Sequence, residues 1–421
     1  MKRATRYGAR IAGALVTAAV LAGSLSACGS ASDDGAGGGP EEVTFWGSWS
    51  GDQAKQLQKQ ADAFNAAQDE YEVTYVGQEL VEEKLLTALA SGSVPDVVLW
   101  DRYSTPLYVP KNALAPIDEY LEADGVDVTQ FYDQAMGELV VDGGTYGLPL
   151  LVDNRSLFYN TDLLKAADVE PPTDWTSLQA AAEAATEEEG GKLSIAGFAL
   201  DDPGLFNIWL KQAGGQMFGD DGATTAFNSP EGLEVLEFWQ DLLDAGVYEP
   251  GFGEGVDSFA EGKLALKYDG PWALTALDEA DVSYGIVQPP VGPAGDQGAG
   301  MGGFGLVIPE GAQNPDGAWE FMKWWTTEPA NSVDFAKISG WIPANIEAAN
   351  DEYFTQDDRY QAFIETMEYA EVRSNIPGAS DVEGKALIPA LEKFLSGETD
   401  AATALKEAQE LGDRILADNA Q

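Results

Sequence analysis

Past residue 40 the chain alternates short apolar runs with stretches of helical period. Residues 43–46 alternate as a strand would. A polar turn, 47–51, leads to Asp52 as a helix cap, and Leu57, Ala61 and Phe64 then recur on one helical face. Residues 71–76 form a second predicted strand, and 79–90 a second helix. Asp96-Val97-Val98-Leu99-Trp100 is an uninterrupted apolar run of the kind found in strands buried on both faces. This βαβαβ order predicts an α/β fold with a doubly wound sheet. Ligands of such sheets bind beyond the carboxyl ends of the strands. Ser48, Trp49, Trp100, Asp101 and Arg102 occupy those ends.

Further along, Asp142-Gly143-Gly144 reads as the turn of a hairpin returning through 146–152, and 156–160 as another short strand. The pattern then becomes mainly helical. Helices are expected at 175–186, 204–213 and 230–245, with strands near Ile195, at 264–268 and at 282–287. Glycine-rich residues 292–305 suggest a hinge crossing before a strand at 306–308, and the chain is helical after about Asn314. No internal repeat is apparent.

The N-terminus has a different pattern. Lys2, Arg3, Arg6 and Arg10 precede an apolar or small stretch to residue 27, the layout of a secretory signal. Leu25-Ser26-Ala27-Cys28 resembles the lipobox of bacterial lipoproteins. That resemblance implies removal of residues 1–27, lipidation at Cys28 and anchoring on the extracytoplasmic face of the cell membrane. Residues 29–40, small, polar and glycine-rich, suit a flexible tether.

Composition narrows the chemistry. The formal net charge is -48, which opposes nucleic acid and anionic lipid as partners. There is no histidine and one cysteine, so the usual general base, disulfides and thiolate metal sites are missing. Against this stand 11 Trp, 15 Tyr and 17 Phe, a wealth of aromatics that points to binding rather than catalysis. Asp220-Asp221-Gly222 lacks the alternating ligands of a calcium loop and reads as a surface turn. Glu187-Glu188-Glu189 reads as a solvated helix end. Trp319, Phe321, Trp324 and Trp325 share a helix and read as core. Neither metal nor cofactor is expected.

Several segments, in order, resemble the extracellular solute-binding proteins of ABC importers, of the maltose/maltodextrin-binding type. They are 262–274 with Gly270-Pro271-Trp272, Leu99-Trp100-Asp101-Arg102, Tyr146-Gly147-Leu148-Pro149 with 157–164, Asn375-Ile376-Pro377, and a helix at 402–416. The resemblance implies a two-lobed periplasmic-binding-protein-like fold. Each lobe would be a mostly parallel sheet flanked by helices, hinged with a ligand cleft between. Residues 41–153 plus 304–328 would form the first lobe, and 154–303 plus 329–421 the second. It implies a non-enzymatic, monomeric capture protein that hands a small carbohydrate to permease transmembrane subunits.

A pyranose offers an apolar face for indole stacking and a rim of hydroxyls needing fixed donors and acceptors. Trp272 is therefore expected as the main platform, Asp101 as hydroxyl acceptor and Arg102 as its orienting donor. Trp46, Trp49 and Trp100 would frame one wall, with Ser48 and Asn154 as polar contacts. The family's late aromatic platform is missing after Asn375-Ile376-Pro377, and Trp341 is the expected substitute. The rival readings are a binder of a cationic solute, held by carboxylates and cation–π attraction, a carboxylate-based glycoside hydrolase, and a surface adhesin without an importer.

Overall fold

The computed structural model describes residues 39–419. The signal segment, Cys28 and all but the end of the tether lie outside the described residues. Among those described, no helix is long and apolar enough to cross a membrane, and no group of acidic residues has metal-holding geometry.

The first sheet begins in the expected order. Glu41–Gly47 lies between Tyr71–Gly77 and Val97–Asp101 and is parallel to both. Val97 and Leu99 face the main core while Val98 and Trp100 face a second apolar cluster, so the run is buried on both sides. Phe304–Val307 and Gly147–Pro149 complete the sheet in antiparallel register. The helix Gly51–Ala67 buries Leu57, Ala61 and Phe64, the face its periodicity marks. Phe64 meets the helix Pro315–Thr326 edge-on at Phe321 and Trp324, and Phe45 meets Phe321 and Trp325. Buried Asp96 ties these parts together, accepting from the backbone N–H of Thr44, Gln313 and Asn314 at 2.8, 3.0 and 2.8 Å.

The second sheet runs Tyr284–Val287, Ser156–Asn160, Leu264–Asp269, Lys192–Phe198, Glu187–Glu189. Only Lys192–Phe198 with Leu264–Asp269 is parallel. The sheets are thus mixed where mostly parallel strands were expected. Ser156–Asn160 and Phe304–Val307 enter directly from the segments that cross between sheets, without the helical crossover that parallel pairing requires. Glu187–Glu189 is a short exposed edge strand rather than a helix end. The predicted hairpin is shorter than expected: Asp142 and Gly143 alone make the turn, both at positive φ, 51° and 83°, Gly144–Thr145 returns against Val140–Val141, and 146–152 feeds the first sheet and the crossing instead.

Between the two sheets lies a small third one. Leu151–Asn154, which follows the first sheet and precedes the second, pairs antiparallel with Gly300–Gly302, which runs the opposite way. Ile342–Pro343 and Glu371–Val372 add its edges. Single residues separate the crossing strands from the large sheets: Leu150 and Arg155 on one, Gly303 on the other. Gly303 has φ +125°, and a Cβ there would stand 2.2 Å from the Leu151 carbonyl oxygen, so no other residue fits.

Candidate functional site

Where the crossing strands meet the ends of the first sheet, a cavity of about 310 Å3 opens. Trp49, Asp101, Trp272 and Trp341, all expected, line it, with Tyr103, Glu138, Asp153, Arg155, Met301, Phe304 and Arg373. A larger hollow of about 690 Å3, walled by Asp201, Asp202, Tyr248, Lys267 and Asp269 among others, adjoins it through Arg155 and Trp272, which line both.

Trp272 follows the strand Leu264–Asp269 and starts the helix Ala273–Glu279. Three carbons of its benzo ring (Cη2, Cζ3 and Cζ2) lie 2.0, 2.1 and 2.5 Å from where a Cβ on Gly270 would stand. Near-equal distances to three adjacent ring atoms mean that one ring face lies flat over that glycine. The Gly-Pro-Trp motif is therefore a backbone cradle for an indole. Trp49 is held by Tyr75, whose hydroxyl donates to the carbonyls of Gly47 and Trp49, at 3.0 and 2.7 Å. Burial pushes the Tyr75 phenol up to about 12. Trp341 stacks on Trp49 with centroids 5.4 Å apart, tilts against Trp272 at 5.1 Å and meets Phe304 edge-on at 5.5 Å. These rings form one aromatic wall from the first sheet to the end of the second. The buried Trp341 Nε1 has no hydrogen-bond partner.

Polar groups line the same cavity. Asp101 ends its strand and accepts from the Tyr103 N–H at 3.2 Å through one oxygen. Asp153 lies over Gly302, with both carboxylate oxygens 3.1 Å from where a Cβ would be. Burial raises the Asp153 carboxyl above the ordinary range, although Arg155 and Arg102 oppose this. Burial likewise raises Glu138 against the pull of Arg102, and Glu383 against that of Arg373. The buried Tyr103 hydroxyl has no partner, and the Arg373 guanidinium stands 5.4 Å from its ring centroid.

Five expected contacts are placed elsewhere. Trp100 is fully buried in the second cluster, donating to Thr105 Oγ1 at 3.2 Å and meeting Tyr108 edge-on. Trp46 packs, half-buried, against the same cluster. Ser48 is exposed and lines neither cavity. Arg102 does not orient Asp101. It is 0% exposed and donates to Glu138 at 3.0 Å, to the carbonyls of Gly302 and Phe304 at 2.7 and 3.2 Å, and to that of Leu151. It ties the crossing strands together. Asn154 is also fully buried, donating to the Phe363 carbonyl at 2.8 Å and accepting from Ser156 Oγ at 2.9 Å. Sequence reasoning missed Tyr103, Glu138, Asp153, Arg155, Phe304 and Arg373. The signal for Asp153 and Arg155 was present: they are the charged alternate positions in a crossing whose other residues are apolar or neutral.

Two sheets joined by paired crossing strands, with an aromatic and polar cavity at the junction, define a two-lobed binding protein. The chain belongs to the bacterial extracellular solute-binding protein family, whose model matches residues 59–362. It is 24% identical over 380 residues to the maltotriose-binding protein of Pyrococcus abyssi, covering 88% of this chain and 82% of that protein. It is 28% identical over 343 residues to a maltooligosaccharide ABC transporter solute-binding lipoprotein of Streptococcus pneumoniae, covering 77% of each. Among solved structures, the cyclic alpha-maltosyl-1,6-maltose binding protein of Arthrobacter globiformis matches with TM-score 0.76 and 26% identity. That match covers 90% of this chain and 100% of that one.

Proposed function

We propose that this protein captures a neutral oligosaccharide outside the cell and delivers it to the transmembrane subunits of an ABC importer. The observation that carries the reading is the make-up of one cavity, lined by the rings of Trp49, Trp272, Trp341 and Phe304 together with Asp101, Asp153 and Arg373. Sugar faces stack on the indoles, their hydroxyls donate to the two carboxylates, and Arg373 donates to sugar oxygens. Charges of both signs among these polar groups suit a polyol that donates and accepts at once. The adjoining hollow gives room for more than one sugar unit. The named relatives are binding proteins for such saccharides, which supports the class of solute.

In this reading the lobes are residues 41–153 plus 304–328 and 154–303 plus 329–421, moving about the crossing strands as the solute enters. Cys28, lipidated, holds the protein to the outer face of the membrane as a monomer. Calorimetry with maltotriose, mannotriose and spermidine tests the proposal. Saccharide binding that changes little between low and high salt, and is lost in Trp272→Ala, is the expected outcome. Spermidine binding that weakens steeply with salt, with no response to either saccharide, would replace the sugar by a cation.

A further inference from the structure

The Trp272 platform is covered. Its one face lies on Gly270. Over its ring, 4.2 Å from the centroid, sits the guanidinium of Arg155. A stacked sugar would need that same layer of about 4 Å, so guanidinium and sugar cannot both rest on the open face. Arg155 is also half-buried at the junction of the two hollows, lining both. Of the arginines in the described residues, Arg102 and Arg359 are ion-paired. Arg155 is not, in a chain with 71 acidic residues against 23 basic ones. Its one close charge-related contact among the described residues is the indole face, with Asp153 acting on it from beyond ion-pairing distance.

A place for the displaced guanidinium exists. Asp153 precedes Arg155 by two residues at the end of the strand Leu151–Asn154, and both line the smaller cavity. Swinging from indole to carboxylate would exchange a cation–π contact for a charge-assisted hydrogen bond.

We propose that Arg155 is a charged cover on the Trp272 platform, displaced by the solute, and thereby a determinant of how tightly a neutral sugar binds. This rests on the sugar reading of the cleft, and two measurements separate their failures. The first needs no ligand. Of the 11 tryptophans, Trp46, Trp272 and Trp324 are not buried, so acrylamide quenching reads few rings. Arg155→Ala should raise the quenchable fraction, and Arg155→Ala/Trp272→Phe should remove the increase. Quenching of Arg155→Ala identical to that of the unaltered protein would overturn the cover. The second is calorimetry with maltotriose and mannotriose. Arg155→Ala should bind about three- to tenfold more tightly, the cation–π contact no longer opposing entry. Equal or weaker binding would mean that Arg155 holds the sugar instead, and would also overturn the proposal. If neither protein binds either sugar, the sugar reading falls, while the quenching result still decides whether Trp272 is covered.

Discussion

At the scale of single residues, side-chain parity decided what the sequence made legible. Asp101 and Trp100 are neighbours on one strand, and only Asp101 reaches the cavity. Asn154 is buried while Asp153 and Arg155 beside it face the cleft. A one-residue shift exchanges the faces of a strand, and composition carries no information about which face is which. Trp272 was legible through the family resemblance of Gly270-Pro271-Trp272, and the structure supplies the physical reason, a glycine backbone lying against the indole face. That yields a direct prediction. Gly270→Ala would drive a methyl into the indole, 2.0 Å from Cη2, so the ring must leave its cradle. The protein should fold and lose saccharide binding to the extent of Trp272→Ala, as read by calorimetry. Binding at the unaltered strength would mean that the ring position does not matter. Arg102 predicts the opposite pattern. Arg102→Leu strands the buried Glu138 carboxylate and three carbonyls, so denaturant titration should show a loss of about 3–5 kcal/mol. The double variant Arg102→Leu/Glu138→Gln should recover part of that loss. A stability change under ~1 kcal/mol in the single variant would contradict the tie.

At the scale of elements, the strongly periodic parts were readable and the crossings were not. The Gly51–Ala67 helix and the strands of the βαβαβ unit fall where the pattern puts them, and the Ala401–Asn419 helix where the family resemblance puts one. Their buried faces are set by local spacing. Sheet order depends instead on which distant segments pair, and Phe304–Val307 joins the first sheet from two hundred residues downstream in the register Phe304↔Asp101. Nothing local encodes that contact. The glycines of the second crossing were legible only as flexibility, whereas Gly303 is required by close packing. Gly303→Ala places a non-glycine residue at φ +125° with its methyl 2.2 Å from the Leu151 oxygen and 2.8 Å from Arg102 Nη1. The backbone strain costs about 1–3 kcal/mol before any clash is counted. Thermal melting should fall markedly, and the crossing should separate around Leu151 and Arg102. An unchanged melting temperature would show that this close approach is not needed for the fold.

At the scale of the whole molecule, charge governs stability through two opposed sets of carboxyls. Burial raises Glu138, Asp153, Asp201 and Glu383 above the ordinary carboxylate range. For these the native state holds its proton more firmly than the unfolded chain does. Stability therefore increases as pH falls through their folded values and stops changing once the unfolded chain is protonated too. Asp124 and Asp174 are held below the ordinary range by the side chains of Lys323 and Trp319 and by the backbone and hydroxyl of Ser177, and Asp357, which burial alone would raise, is brought below it by the combined hydrogen bonds and charge of Arg359. Their contribution is present above the ordinary range and is lost as pH falls through their folded values. A net charge of -48 adds a repulsion that protonation relieves and salt screens. The three effects together predict a melting temperature that rises from neutral pH to a maximum near pH 5, at about the upper edge of the carboxylate range, and then falls. Added salt should raise it at neutral pH and do so less near the maximum. Asp153→Asn removes one member of the first set, so it should melt higher at neutral pH while binding saccharide more weakly, a group retained for the cleft at the expense of the fold. Differential scanning calorimetry across pH at fixed ionic strength measures all of this. A melting temperature that climbs steadily from pH 5 to 8, or an Asp153→Asn protein less stable at pH 7, would show that the arginines around Asp153 outweigh its burial.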